Sequence, residues 1–365
     1  MANKKKARWP WLVLAAALFA VGAWLMSGSE EVDTHQEKKV SLPRYMTSTE
    51  RKRNDERRTM AAVPMPEVDG EPAVKQVRDP VLAGFPAVVK KHAVVIEANA
   101  IRNSDLGDLM IECMVADEDS FIENMKDAGF NPIDGLDRVA LADDALMISG
   151  DFAKTDFKEL TGARDSRQFG PNAEMFTRYR ADGGFLNEFA VWKNQVMVLG
   201  ADREEIAAII DRMDGKGDPD EKRALTEADA YGEVYGIVKP EQLSRGLEKE
   251  NPQLAQLLSE AATQVKLHAD VSHDVGVVAE VQGDNPSKTQ DLRKALGTAL
   301  TLAKLQAEAK GEKGQAEVLG FARVEKAQGG GSTFSLEAGL PYEFLERQLK
   351  ECVAEKKAKR ADAGR

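Results

Sequence analysis

Residues 187–202 read NEFAVWKNQVMVLGAD, and EEIAAIIDRM follows. Phe189, Val191, Val196 and Val198 alternate with other residues on either side of Lys193-Asn194. That is the pattern of two half-buried strands joined by a tight turn. Gly200 marks the exit, Asp202 stands where a helix N-cap belongs, and the next ten residues read as a helix. This order of hairpin, glycine exit and helix decides the fold, because it recurs.

Residues 137–152, DRVALADDALMISGDF, repeat it: Val139, Leu141, Leu146 and Ile148 flank an Asp143-Asp144 turn, and a helix runs on through Leu160. Residues 264–284 repeat it again, with Val265, Leu267, Ala269 and Val271 on one face and a long helix from about Ser287. Asp151 and Ser287 take the N-cap position that Asp202 takes. Pro240 and Pro341 each stand at a first helical position after a strand. The first half then reads strand (93–99), helix (about 104–128), hairpin, helix, hairpin, helix. The second reads strand (232–238), helices (241–263), hairpin, long helix, hairpin (about 322–337), helix. The expectation is an α+β fold of two tandem, mainly antiparallel sheet-plus-helix units, each β-α-β-β-α-β-β-α, over 87–215 and 230–357. The helices are expected on one face of the sheet. A polar connector, 216–229, joins the units, and a disordered, charged tail is expected over 358–365.

The first thirty residues concern address. Lys4, Lys5, Lys6 and Arg8 lie in a basic tail, 1–8, ahead of an uncharged apolar run, 9–26, and Glu30, Glu31 and Asp33 follow. As a helix the run measures about 27 Å, close to the hydrocarbon core of a bilayer. The expectation is a single-pass anchor in the inner (cytoplasmic) membrane of a bacterium, its basic end in the cytoplasm and the rest of the chain facing the periplasm. Val21-Gly22-Ala23 would also serve as a signal-peptide cleavage site. Trp9, Trp11 and Trp24 at the ends of the run favour retention, and both readings export the remainder. From 27 to 86 the chain is charged and punctuated by Pro43, Pro64, Pro66, Pro72 and Pro80, which reads as a disordered spacer. Its basic cluster, Arg51, Lys52, Arg53, Arg57 and Arg58, reads as part of that solvated linker.

The 365 residues carry a formal charge of −11, and the exported part is more acidic than the whole. Such a surface disfavours nucleic acid as a partner. The two cysteines, Cys113 and Cys352, could bridge in an oxidising compartment or lie as two buried thiols, and spacing alone leaves both open.

The chain holds no G-x-S-x-G elbow, S-x-x-K, H-E-x-x-H, phosphate loop or dinucleotide fingerprint. The best constellation is His268, Asp270 and His273, with Asp274 beside it. Imidazole and carboxylate groups this close could hold a zinc-like ion, and the competing reading is the polar outer face of a hairpin. Gly232 and Gly236 share a strand face that a helix or a ligand could approach closely. No cofactor is expected. The function expected is a non-enzymatic binding or structural domain whose partner is an envelope protein or an apolar ligand. A metal-dependent enzyme using His268, Asp270 and His273 is one alternative, and a lipid carrier is another.

Overall fold

The computed structural model describes residues 40–61, 78–115, 123, 125–179, 185–216, 223–249, 251–311, 313–326 and 331–363. Twelve strands form one antiparallel sheet. They are β1 (His92–Ile96), β2 (Leu136–Ala142), β3 (Ala145–Gly150), β4 (Asp165–Phe169), β5 (Ala173–Tyr179), β6 (Phe185–Trp192), β7 (Val196–Leu199), β8 (Val234–Val238), β9 (Gln264–Asp270), β10 (Val275–Gln282), β11 (Ala322–Lys326) and β12 (Thr333–Leu340). Across the sheet the order is β11-β12-β10-β9-β8-β1-β2-β3-β7-β6-β5-β4. At the centre β1 and β8 run antiparallel, with Val95 opposite Tyr235. The helices are α1 (Ser48–Ala61), α2 (Pro80–Gly84), α3 (Ala98–Arg102), α4 (Gly107–Val115), α5 (Pro132–Gly135), α6 (Phe157–Thr161), α7 (Arg203–Met213), α8 (Pro240–Leu247), α9 (Pro252–Ala261), α10 (Pro286–Lys310), α11 (Lys313–Gly320) and α12 (Tyr342–Ala363).

The hairpin turns follow from local chemistry. Lys193 and Asn194 both have positive φ, 49° and 54°, which suits the twist of a two-residue β-hairpin. Asp143, at φ 53°, closes the β2–β3 hairpin, and its carboxylate accepts from the backbone N–H groups of Lys90, Lys91 and His92. Asp202 caps α7 by accepting from Glu205 N–H. Two expected caps move. α10 is capped by Asn285, which puts Ser287 just inside the helix, and α6 is capped by Asp156 rather than Asp151.

Cover for the sheet differs between its two halves. Met147, Val198, Ala190 and Trp192 pack against Val81, Leu82 and Phe85 around α2 and against Ile206, Ile209 and Ile210 of α7. The opposite face of the same strands packs Phe176 and Phe189 against Phe130, Phe152 and Phe157. In the second half Val265, Val281 and Phe334 lie under Leu254, Leu258 and Leu292 of α9 and α10. Following the paired registers from β3 to β12, these residues lie on the face opposite Met147. The expected arrangement with all helices on one face is therefore corrected. The strands of the first half are apolar on both faces and need cover on both.

Three further expectations change. Residues 165–179 form the β4–β5 hairpin at the sheet edge, which adds two strands to the eight-element plan of the first half. The spacer expected over 27–86 includes a 14-residue helix, α1, and a core segment in which Val81 and Phe85 are fully buried. Within the connector expected over 216–229, Leu225 is buried in the main core. Among the described residues no helix is long and apolar enough to cross a membrane, and the apolar run 9–26 lies outside them.

Cys113 on α4 and Cys352 on α12 form a disulfide, with a Cα–Cα distance of 5.8 Å and a sequence separation of 239. It joins a helix that follows the central strand β1 to the last helix, beside a core of Leu106, Leu340, Phe344 and Leu345. Closing a loop of this length constrains the unfolded chain by about 5 kcal/mol in the chain-entropy model. Cys352→Ser should therefore lower the unfolding free energy in urea by several kcal/mol, up to about that figure. Equal midpoints and slopes for the two proteins would contradict it.

Candidate functional site

Where β1 meets β8 the apolar face of the sheet turns polar. Glu97, the residue after β1, is fully buried, and so is Tyr235 on β8. Arg138 on β2 and Asp79 at the start of α2 are almost as enclosed. α1 lies over them and contributes Arg57. The Arg57 guanidinium forms a fork on Glu97, Nη1 to Oε1 at 2.9 Å and Nη2 to Oε2 at 2.7 Å, and reaches Asp137 Oδ1 at 2.9 Å. Tyr235 donates its hydroxyl to Glu97 Oε1 at 3.0 Å. Beside this pair, Arg138 Nη1 donates to Asp79 Oδ2 at 2.7 Å, while Asp79 Oδ1 caps α2 through Val81 and Leu82 N–H.

Burial alone would discharge these groups, and pairing reverses it. Desolvation pushes the Asp79 carboxyl up, yet the adjacent Arg138 holds it below the usual carboxylate range. Desolvation likewise pulls both guanidiniums down. Asp79 and Glu97 outweigh it for Arg138, and Glu97 and Asp137 outweigh it for Arg57, so both end above their ordinary value. Burial, then the charge of Glu97, pushes the Tyr235 hydroxyl well up. The cluster is thus two cations locked to three carboxylates and capped by a neutral tyrosine. It holds charge in place, each member paired within the cluster.

A neighbouring carboxyl is raised instead. Glu233, just before β8, accepts from Val271 N–H at 2.8 Å, and its own N–H and C=O bond to Ala269 and Glu97. Burial, with Asp270 and Glu50 adding repulsion, raises its carboxyl to about 7.

Over Ser48 to Arg58, its described side chains, α1 sits on this site without an apolar face. From Ser48 to Arg58 it has no side chain larger and less polar than threonine. It docks through one polar stripe at helical spacing. Glu50 accepts from Gly232 N–H, Asn54 Nδ2 donates to the Ala230 carbonyl at 3.1 Å, Arg57 takes Glu97, and Arg58 Nε lies 3.3 Å from Glu227. Ahead of it, residues 40–46 cross the paired strands β10 and β12 where Gly276 faces Gly339. A Cβ on Gly276 would collide with the Ser41 carbonyl oxygen, and one on Gly339 would lie 2.8 Å from Val40 Cβ. Arg44 Nη2 then reaches the buried Glu337 at 2.7 Å, opposite Arg323.

The residues singled out for metal binding do not converge. His268 is buried, its ring stacked on Tyr231 at 3.7 Å between centroids, and Nδ1–H donates to the Tyr231 carbonyl at 3.2 Å. Burial lowers its pKa and keeps it neutral. Asp270 accepts from Ser272 N–H and hydroxyl. His273 pairs with Asp105 at 2.7 Å and stacks on Tyr342, and Asp274 caps α12 through Tyr342 N–H. Among the described residues no group of three or more His, Cys, Asp or Glu side chains could hold a metal ion. Gly232 and Gly236 admit neighbouring backbone, at Ala269 and Ala93, rather than a helix or ligand. A cavity of about 120 Å³ lies between α10 and β12, lined by Thr289, Arg293, Lys326 and Phe334 among others. Drug-sized ligands fill about 300–1,000 Å³.

The buried ionic cluster is absent from the sequence reading. A charge inside an apolar strand, as Arg138 is in LDRVALA, was its available signal. The stripe Glu50, Asn54, Arg57 and Arg58 was another. No family model matches the chain, and no curated protein or solved structure matches it either.

Two outcomes follow. Arg138→Gln leaves Asp79 buried and unpaired and should cost about 3–5 kcal/mol in urea unfolding. Adding Asp79→Asn should recover more than about 1 kcal/mol of that, and strict additivity would count against the pair. For Glu233 the sign is set by a folded pKa of about 7 against an ordinary 4.5. Stability is fullest below the ordinary value and falls by on the order of 3 kcal/mol as pH rises through 7. Glu233→Gln should flatten that fall between about pH 5 and about pH 8, read as the shift in urea midpoint.

Proposed function

We propose that this chain is an exported, membrane-anchored domain with a binding or structural role in the cell envelope, and that it is not an enzyme. Residues 9–26 are its anchor, and residues 40–363 face the periplasm. The observation that carries the reading is the Cys113–Cys352 disulfide, because such bridges persist in oxidising compartments and are rare in reducing ones. The paired state of the buried charges supports the non-enzymatic part: Arg57, Arg138, Glu97 and Asp79 occupy one another rather than a reacting group.

The body is a tandem pair of α+β units, over 87–215 and 230–357. From β1 outward the strands run β1, β2, β3, β7, β6, and from β8 outward β8, β9, β10, β12, β11. Each series is a single strand, a hairpin and a second hairpin entered through its far strand. The antiparallel β1–β8 pair lies where a two-fold axis between such units would pass. β4 and β5 extend the first series alone. A two-unit body with charged edges presents surface for a macromolecular partner.

The test is crosslinking of the full-length protein in its native membrane, with mass spectrometry of what is captured. The expected results are retention in the membrane after alkaline washing, both cysteines blocked to alkylation until reduced, and a reproducible envelope protein in the crosslinks. Reactive thiols without reduction would overturn the exported placement, and crosslinks to the protein alone would overturn the partner role.

A further inference from the structure

Residues 40–61 are held differently from the long helices of the body. The other long helices bury apolar residues: α7 places Ile206, Ile209 and Ile210 in the core, and α9 places Leu254 and Leu258 there. Over its described side chains α1 is held by Glu50, Asn54, Arg57 and Arg58, with Arg53 4.0 Å from Glu97, and the chain before it by Arg44, the buried Pro43 and two glycine gaps. Docking of this kind exchanges hydrated charges for paired ones, and the desolvation cost offsets much of the Coulomb gain. When such a helix lifts, its groups and those beneath regain water together, so no charge is stranded. Glu97 would still keep Tyr235, and Asp79 would still keep Arg138. The outer contacts, Arg44 to Glu337 and Arg58 to Glu227, involve half-exposed guanidiniums that salt screens.

The position of the segment gives its release a consequence. With α1 docked, the body begins at Val40, and 27–39 is the only chain between it and the end of the apolar run. Thirteen residues span at most about 45 Å. With α1 free the next described residue is Arg78, and the 51 residues 27–77 measure up to about 180 Å at full extension. We propose that residues 40–61 form a releasable clasp that sets the membrane tether at one of two lengths. The tether rests on the reading of 9–26 as an anchor; the clasp does not.

The test is native-state hydrogen exchange on the full-length protein in nanodiscs, paired with energy transfer from a dye on Leu302→Cys to labelled lipid headgroups. Leu302 is an exposed position on α10. The amides of Arg51 through Arg58 should exchange at one common rate, roughly 100-fold faster than those of β1 and β8 beneath them. Arg57→Gln should raise that rate about tenfold more, keep β1 and β8 about 100-fold slower than α1, and lower the energy transfer. If Arg57→Gln does not fold, Asn54→Ala, which removes one bond outside the ionic cluster, should show the same pattern more weakly. Exchange of α1 in step with β1 and β8 in every variant overturns the clasp. Independent release of α1 with unchanged energy transfer overturns the anchor, and with it the two-length tether, while the clasp stands.

Discussion

The fork of Arg57 on Glu97 is the contact on which the arrangement at the centre of the sheet depends. Glu97 follows β1 directly, and its N–H donates to the Glu233 carbonyl just ahead of β8. Its carboxylate takes Tyr235 from β8 and Arg57 from α1. One buried carboxylate thus fixes the end of β1, the start of β8 and the seat of the N-terminal helix. Burying it is costly, and the pairing recovers the cost more than it adds net stability. Net stability comes from the apolar cores to either side, where Met147, Trp192 and Phe334 are almost fully enclosed. The charges contribute selectivity of placement, because an arginine out of register would leave Glu97 unpaired.

The same strands explain why the cover differs between the halves. β1 reads HAVVI and is buried on both faces, so its half of the sheet needs α2 and α7 on one side and the phenylalanine cluster on the other. β9, β10 and β12 alternate. Val265, Val281 and Phe334 face α9 and α10, while His268, Lys266 and Glu337 line the other face. That second face carries charge and cannot recruit an apolar helix. Residues 40–46, VSLPRYM, cross it instead, with Pro43 buried, Arg44 on Glu337, and Gly276 and Gly339 leaving room for backbone to lie against backbone.

Much of the sheet was legible because its signals are local. Alternation around Asp143-Asp144 and Lys193-Asn194, the caps and Pro240 each act over a few residues, and every hairpin read from them is present. β4 escaped because an edge strand of sequence DSRQF is polar throughout and shows no alternation. α1 escaped because a helix is recognised by an apolar stripe, and its stripe is polar. The site escaped for a related reason. Its members, Arg57, Asp79, Glu97, Arg138 and Tyr235, come from five separate elements, and only the sheet order brings them together. His268, Asp270 and His273 were close in sequence, but the strand ends between His268 and His273 and sends each ring to a different aromatic partner, Tyr231 or Tyr342.

The second half of the sheet shows what opened the place that α1 and its approach now fill. After β7 the chain turns into α7, which packs on the Met147 face. After β12 the chain turns into α12, which leaves that face uncovered. α12 packs instead beside α4, through Leu340, Phe344 and Leu345 against Leu106, with Lys357 paired to Glu112 and the disulfide alongside. Covalent closure holds α12 in that position. The face it leaves holds Glu337 and the Gly276–Gly339 gap, and residues 40–46 lie there. The last helix and the first segment therefore divide between them what α7 does alone in the first half. The covalent part went to the C-terminus, and the part seated by Pro43, Arg44 and the charged stripe of α1 went to the end of the chain nearest the apolar run.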